Sequence, residues 1–307
     1  MTAPSGPADT ERIDTERIEG SQTAPSKPRK GPLATPRRRR RPPIDLVASA
    51  ILLGLLALAA VAPQLLATHD AFALDYPSAL QGPSAAHWFG TDESGRDLYS
   101  RVIFGARESL LIGLGAAAVG IVGAILLGSL AALGPKPVAV VIDRFVEVLF
   151  AFPALLLALL LIAIAGPSAL TQILAVGLGT APGYARMVRG QILSAKGSGY
   201  VQAAVALGHS PARIVRAHIL PNALRPLVAI FALSVGQSIV WASSLSFLGL
   251  GVAPPSPEWG ALLDAGRSYI VQAGWLVVIP GLVIVALALA ATTVGRHLQS
   301  GLEKGEK

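Results

Sequence analysis

Residues that could carry out catalysis or bind a metal ion are sparse in this 307-residue chain. The five histidines are scattered, and none belongs to an HExxH motif or another metal-ligand spacing: His69, His87, His209, His218 and His297. The absence of cysteine excludes disulfides and thiolate ligands. No Gly-x-Ser-x-Gly nucleophile motif occurs, and the run SAKGSG at 194–199 lacks the order of a phosphate-binding loop. We therefore expect no catalytic residue, no metal site and no cofactor in this chain, which is predicted not to be an enzyme by itself.

The composition is that of a membrane protein. Hydrophobic residues make up 52% of the chain and charged residues only 14%, whereas soluble domains average about 25% charged residues. The ionisable residues nearest the apolar segments lie at the ends of those segments, where long side chains reach the interface at little cost: Asp143, Arg144, Glu147, Arg186 and Arg189. No acid suited to a proton relay lies within an apolar segment, which disfavours a proton-coupled secondary transporter.

Six apolar segments predict an all-α, polytopic membrane protein with six transmembrane helices, because about 20 apolar helical residues cross a bilayer core. The third segment is interrupted by Pro153, the fourth is broken by glycines and Pro182, and the sixth contains Pro280. The predicted spans are residues 46–67, 110–133, 148–166, 170–188, 227–252 and 274–295.

The distribution of charge predicts which loops face the cytoplasm. Residues 186–225 hold six basic residues and no acid, whereas residues 68–100 hold five acids and one arginine. Since cytoplasmic loops are enriched in Lys and Arg, residues 186–225 are predicted to be cytoplasmic and residues 68–100 external. Both termini are then predicted to be cytoplasmic. The net charge of +7 is concentrated in particular loops, so nucleic-acid binding is not expected.

The basic loop contains a stretch, residues 200–222, that reads as helix, break and helix. Gly208 permits a turn that a Cβ would resist, and Ser210-Pro211 has the residue types of an N-cap followed by the first helical position. Val201, Val205 and Leu207 are expected to form an apolar edge on the first helix. Such a projection suits docking into a groove on a partner protein; the alternative is an amphipathic helix lying on anionic lipid.

This stretch resembles the EAA loop of ABC-importer permeases, in which Glu-Ala-Ala is followed after three residues by Gly and after nine more by Ile-x-Leu-Pro. The corresponding residues here are Gln202-Ala203-Ala204, Gly208 and the run 218–221, HILP, at matching spacing, with Gln202 in place of the Glu. Three further runs resemble the C-subunit type of the dipeptide/oligopeptide/nickel permeases, and the similarity extends from about residue 44 to residue 300: HWFGTDESGRDLYSRVIFGARESLLIG (87–113), RFVEVLFAFPALLLALLL (144–161) and SLSFLGLGVAPPSPEWGALL (244–263).

The resemblance implies a type I ABC importer fold with a cytoplasmic EAA coupling helix, in a multi-pass protein of the bacterial cytoplasmic membrane. The expected organisation is a disordered cytoplasmic segment at 1–43, a transmembrane domain at 44–300 with its coupling loop at about 190–222, and a cytoplasmic tail at 301–307. The implied partners are a B-type permease subunit in a heterodimer, two ABC ATPase domains that bind ATP and Mg²⁺, an extracytoplasmic substrate-binding protein, membrane lipid and a peptide substrate.

The resemblance also implies site residues. Residues that contact the ATPase are expected to be Tyr200, Val201, Gln202, Ala203, Ala204, Leu207, Gly208, Arg213 and Arg216. An outer gate or binding-protein contact is expected at His87, Gly90, Asp92, Gly95, Arg96 and Asp97. Dipeptides or oligopeptides are the expected substrates, and a nickel chelate, glutathione or a haem-like ligand remain alternatives. A proton-coupled transporter and a membrane scaffold are the rival classes.

Overall fold

Long apolar helices dominate residues 44–304, the part of the chain that the structure, a computed structural model, describes. In lipid every backbone N–H and C=O needs a partner within the protein, which favours continuous helices. The predicted N-terminal segment 1–43 lies outside the described residues. The helices are α1 Ile44–Val61, α2 Leu98–Leu133, α3 Lys136–Ala151, α4 Ala154–Ala165, α5 Ala169–Lys196, α6 Gly199–Ala206, α7 Pro211–Ile214, α8 Leu220–Leu224, α9 Leu227–Leu245, α10 Trp259–Arg267 and α11 Trp275–Lys304.

The all-α, polytopic prediction is confirmed, and the membrane-crossing helices can be assigned. Within residues 44–304, four helices are long and apolar enough to cross a bilayer: α1, α2, α9 with the π-helical turn that extends it, and α11. The pair α3 and α4 makes a fifth crossing if it is counted as one broken span. The predicted fourth span falls on α5, which has 28 residues and is long enough to cross, but is less apolar than the others.

Several predicted boundaries differ from the structure for local reasons. α1 ends at Val61 rather than at residue 67, because Pro63 disfavours helical geometry at the residue before it. α2 begins at Leu98 rather than at residue 110, since the Asp97 side chain caps it. α11 continues past residue 295 to Lys304, so the predicted tail begins inside this helix.

The third predicted span is not one helix. α3 and α4 meet at an angle of 92° across Phe152 and Pro153, because proline disfavours helical geometry in the residue that precedes it. The interruption at Pro153 was predicted, but α3 begins as early as Lys136, before the predicted start of the third span at residue 148.

The fourth predicted span is continuous where the sequence indicated a break. α5 runs unbroken through Pro182, and Gly177 allows it to pack closely against α2. A Cβ on Gly177 would lie 2.9 Å from the carbonyl oxygen of Ala116, and a Cβ on Gly120 would lie 2.8 Å from Thr180 Oγ1. Small residues therefore bring the two helices together, as is common for helix pairs in membranes.

The two ends of the helix bundle carry different loops. At one end, here called the acidic end, Ala59, Leu98, Trp259 and Leu276 share a buried cluster. This cluster joins the last turns of α1, the first turn of α2 and the start of α11. At the other end, the basic end, residues 199–224 pack against Val188 and Ile192 of α5, with other side chains of α2 and α3 in the same cluster. The first residues of α1 and the last residues of α11 therefore point away from the acidic end.

Candidate functional site

The segment at the basic end has the helix–turn–helix structure that its sequence predicts. We call residues 199–224 the coupling segment. α6 is followed by Gly208 with φ +76°, a conformation that a glycine adopts without strain. Ser210 then caps α7, its hydroxyl oxygen accepting from the N–H of Arg213 at 3.4 Å, and Pro211 occupies the first turn. α7, a π-helical turn (Val215–Ile219) and α8 form one uninterrupted helical stretch.

One face of the coupling segment is anchored in the protein's own core. The side chains on this face are buried together with residues of α5: Val201, Ala204, Ile214, Ile219 and Ala223. Val201 and Ala204, two of the residues predicted to contact an ATPase, are therefore covered by the chain itself. Their position holds the segment in place instead of exposing them to a partner.

The opposite face is exposed and combines apolar with basic side chains. Leu207 is 76% exposed, and the other exposed predicted residues are Tyr200, Gln202, Ala203, Gly208, Arg213 and Arg216. Val205, expected to share an apolar edge with Val201, is exposed while Val201 is buried, because neighbouring parts of the chain cover only one side of α6. The exposed face of the coupling segment thus includes Val205 and leaves out Val201 and Ala204, and contact with an ATPase remains a prediction.

Two side-chain contacts tie the exposed face to its surroundings. The Gln202 amide donates from Nε2 to the carbonyl oxygen of Gly197, the residue that follows α5, at 3.3 Å. The imidazole rings of His209 and His218 stack with centroids 5.7 Å apart and an angle of 12°. The stack links the Gly208 turn to the second helical stretch, so the turn is fixed by side chains as well as by its backbone.

An ion pair attaches the broken α3 to the basic end of α5. Arg189 and Asp143 approach to 2.9 Å, and the Arg186 guanidinium lies 4.1 Å from the centre of the Phe150 ring. Asp143, Arg186 and Arg189 line a cavity of about 450 Å³ between α2, α3 and α5. Asp143 and Arg189 are therefore paired across helices, whereas Arg144 and Glu147 pair within α3.

At the acidic end, most of the residues predicted to form an outer gate or a binding-protein contact stabilise the local fold of residues 87–97. Asp92 is buried, and its carboxylate accepts from the N–H groups of Ser94 at 2.8 Å and Arg96 at 2.9 Å, and from Arg96 Nε at 2.7 Å. Gly95 has φ +77°, and a Cβ there would lie 1.7 Å from the carbonyl oxygen of Asp75. Gly90 also has a positive φ and lies beside Trp275. These contacts assign Gly90, Asp92 and Gly95 a structural role, and an external contact remains a prediction.

Asp97 and His87 form part of a cluster that spacing along the sequence did not predict. The Asp97 carboxylate lies 2.9 Å from His87 Nδ1 and 3.8 Å from Nδ1 of His69. Asp97 Oδ2 also accepts from the N–H of Ser100 at 2.8 Å, which caps α2. The fold brings His69 to the cluster because the end of α1 packs beside the first turn of α2.

Glu258 and Trp259 are further buried residues whose roles the sequence did not reveal. The Glu258 carboxylate caps α10, accepting from the N–H groups of Gly260 at 2.9 Å and Ala261 at 2.8 Å. Burial raises the pKa of Glu258, an effect that these two N–H groups partly offset. Trp259 donates from Nε1 to the carbonyl oxygen of Val102 at 2.9 Å. Both residues therefore attach α10 to α2.

The chain is similar to a family of transport proteins and to several curated members of it. Residues 124–304 match the family described as Binding-protein-dependent transport system inner membrane component. The probable D,D-dipeptide transport system permease protein DdpC of Escherichia coli K12 is 39% identical over 258 residues, which cover 84% of this chain and 86% of the relative. The di/tripeptide permease protein DppC of Pseudomonas aeruginosa UCBPP-PA14 is 40% identical over 232 residues, covering 76% and 77%.

A relative with a different named substrate is equally similar. The glutathione transport system permease protein GsiD of Salmonella paratyphi A is 40% identical over 268 residues, which cover 87% of this chain and 88% of the relative.

Solved structures share the fold at low sequence identity. An inward-facing MetNI methionine ABC transporter aligns with a TM-score of 0.54 at 20% identity, covering 66% of this chain and 95% of that chain. An amino acid ABC transporter crystallised with histidines aligns with a TM-score of 0.53 at 20% identity, covering 67% and 94%. These likenesses bear on the fold alone, and they agree with the predicted type I importer architecture.

Proposed function

Since this chain belongs to the family of binding-protein-dependent transport system inner membrane components, we propose that it is the permease subunit of an ATP-driven importer for dipeptides and oligopeptides. The observation that carries the proposal is the coupling segment, which is anchored on one face and exposes Val205 and Leu207 on the other. Exposed apolar side chains with basic neighbours on a projecting helix suit docking into a groove of another protein.

The proposed orientation places the coupling segment in the cytoplasm. The basic residues of 186–225 support this side. The start of α1 and the end of α11 both lie away from the acidic end, which supports two cytoplasmic termini. The acidic end, with the His87–Asp97 segment, then faces outward, where a substrate-binding protein would approach.

The proposed complex joins this chain to components that supply the chemistry it lacks. A B-type permease subunit forms the other half of the translocation pathway, and two ABC ATPase domains bind ATP and Mg²⁺. This chain carries no ATPase site and no cofactor of its own in this proposal. Closure of the ATPase domains moves the docked coupling segments together and opens the pathway outward, and hydrolysis reverses the change, so ATP biases a two-state equilibrium.

Polar groups on α5 and α9 support a pathway surface on this subunit. Tyr184 donates to Gln237 Oε1 at 3.4 Å, and both side chains are accessible. Gln237, Trp241 and Ser244 line one cavity of about 590 Å³ along α9. Polar residues within membrane helices tend to face the bundle interior or a water-filled cavity instead of lipid. We assign this surface to the side that faces the second permease subunit.

Short peptides are the proposed substrate class, with glutathione as the second candidate. The relatives named for dipeptides and for glutathione are equally similar to this chain, and glutathione is itself a tripeptide. Nickel chelates and haem-like ligands remain alternatives from the sequence resemblance.

Uptake into proteoliposomes tests the proposal. The assembled complex should accumulate a labelled dipeptide only when ATP and the binding protein are present, and unlabelled glutathione should compete if it is the substrate. Uptake that persists without ATP and is abolished by dissipating the proton gradient would indicate the secondary-transporter alternative. Purification of the chain without any ATPase would indicate the scaffold alternative.

A further inference from the structure

Two histidines and one aspartate meet at the acidic end although they come from three separate segments. His69 follows the turns that end α1, His87 lies in the long connection, and Asp97 precedes α2. One ligand atom from each residue can be chosen so that all three lie within 4.8 Å of one another. Two imidazoles and one carboxylate are ligands that zinc and similar transition metals prefer. We propose that His69, His87 and Asp97 form a binding site for a divalent transition metal ion of the zinc type.

The distances in the cluster fit coordination after small side-chain movements. Zinc bonds of about 2.0–2.2 Å in a tetrahedron separate the ligand atoms by about 3.3–3.6 Å. The two measured separations lie on either side of that range: 2.9 Å from His87 Nδ1 to Asp97 Oδ1, and 3.8 Å from His69 Nδ1 to the other oxygen, Oδ2. The rings of His69 and His87 lie 4.9 Å apart between centroids, so one ion can reach both.

The surroundings hold the ligands in place. Asp97 is 1% exposed, and its Oδ2 accepts the N–H of Ser100 at 2.8 Å. The backbone N–H of His69 donates to the hydroxyl of the same Ser100 at 3.0 Å. Both ligands are thus fixed to the first turn of α2 by hydrogen bonds outside the coordination sphere, an arrangement that metal sites use to orient their ligands.

The cluster has the charge and the access that a cation requires. The segment 68–100 carries five acids and one arginine, and Arg96 is paired with Asp92 and Glu93. His69 is 43% exposed, which leaves a route for the ion and a fourth position for water. Without a metal, His87 Nδ1 is paired with Asp97 at 2.9 Å and His69 Nδ1 contacts the Thr68 hydroxyl at 3.0 Å; the ion would replace both of these contacts.

Metal binding would link the end of α1, the connection and the start of α2. The proposal does not depend on the substrate or on the ATPase, because all three ligands belong to this chain. It departs from the expectation that the chain has no metal site, which considered only spacing along the sequence.

Binding of Co²⁺, a spectroscopic substitute for Zn²⁺, tests the site in the purified full-length chain within its complex. The wild type should show the visible absorption of four-coordinate Co²⁺ and a rise in Tm with Zn²⁺ that EDTA reverses. His69→Gln and His87→Gln should lose the absorption and weaken binding by at least about 100-fold, since even outer contacts contribute about 10–100-fold. His87→Gln retains a hydrogen-bond donor for Asp97 and so separates metal binding from the local hydrogen bond.

His297→Gln, on α11 away from the cluster, is the matched control and should bind as the wild type does. Equal absorption and equal Zn²⁺-dependent Tm in the wild type and both cluster variants would overturn the proposal. Absence of the absorption and of any Zn²⁺-dependent rise in the wild type would overturn it as well.

Discussion

Val201 and Val205 lie one helical turn apart on α6, yet their environments are opposite: Val201 is 5% exposed and Val205 is 59% exposed. Val201 is packed into the cluster that includes Val188 and Ile192 of α5. Val205 has no such cover from the chain. The coupling segment is therefore anchored through one side chain and is available to a partner through the other.

Val205→Arg should abolish association with the ATPase while the permease still folds and inserts. The position is exposed in the permease, so the arginine is solvated there, but docking would bury an unpaired guanidinium at a cost of several kcal/mol. We expect the affinity for the ATPase to fall at least about 100-fold, measured by co-purification and by titration with the isolated ATPase.

Val271→Arg is the matched control, since Val271 is 95% exposed at the acidic end; it should leave ATPase association unchanged. Ala204→Arg would be uninformative because Ala204 is buried and its replacement disrupts the core. Equal co-purification of the Val205→Arg variant and the wild type would show that α6 is not the docking element.

The local geometry of the coupling segment could be predicted from its sequence. Which of its side chains are exposed could not be predicted in this way. Gly208 and the Ser210-Pro211 pair specify a turn and a helix start through backbone preferences that act within a few residues. The distinction between Val201 and Val205 depends on which side of α6 packs against the rest of the chain, which is a tertiary relationship. Helical spacing alone places both on one edge.

Gln202→Glu should preserve peptide uptake. The Gln202 side chain is exposed and donates to Gly197 at 3.3 Å; a carboxylate cannot make this bond, and an exposed bond of this kind contributes about 1 kcal/mol or less. If docking depends mainly on shape, uptake should remain within about twofold of the wild type. Gln191→Glu, the same change at an exposed position of α5, serves as control. Loss of uptake in Gln202→Glu alone would show that the neutral amide is needed.

Gly95→Ala should strongly destabilise the acidic end. Gly95 has φ +77°, and the new Cβ would lie 1.7 Å from the backbone oxygen of Asp75, so left-handed strain of about 1–2 kcal/mol adds to a backbone clash. We expect a decrease in Tm of several degrees in a thermal-shift assay. At Gly82 the nearest atom to an added Cβ is 3.8 Å away, and Gly82→Ala should keep the wild-type Tm. Indistinguishable Tm values for the two variants would refute the assigned role of Gly95.

Glu258→Gln should change how stability depends on pH. Burial raises the pKa of Glu258 in the folded protein above its ordinary value of 4.5. The carboxyl therefore contributes stability that is fully present when the pH is below its ordinary pKa. This stability is lost as the pH rises through the raised pKa of the folded protein. Glutamine does not ionise, so the Tm of the variant minus the Tm of the wild type should increase as the pH increases.

The control for this series is Glu147→Gln, the same substitution at an exposed position of α3, which measures the effect of replacing a glutamate by glutamine outside the buried site. A difference in Tm between Glu258→Gln and the wild type that stays constant with pH would contradict the buried-carboxyl interpretation.

The sequence predicted helix content better than helix continuity or the clusters between segments. Apolar length identified α1, α2, α9 and α11 as crossing helices, because length and hydropathy are properties of the chain itself. The glycines of α5 suggested a break, whereas Gly177 of α5 and Gly120 of α2 allow close contact between the two helices. His69, His87 and Asp97 come together only through packing between α1 and α2, so no local pattern could have revealed the cluster.

The most direct test of docking uses the absence of cysteine from this chain. Leu207 is 76% exposed. A single cysteine introduced there as Leu207→Cys can carry a thiol-attached photo-crosslinker in the assembled complex. We expect a covalent product between the permease and the ATPase from position 207, and none from Val271→Cys at the acidic end. A product from position 271, or none from position 207 in a complex that still contains the ATPase, would contradict it.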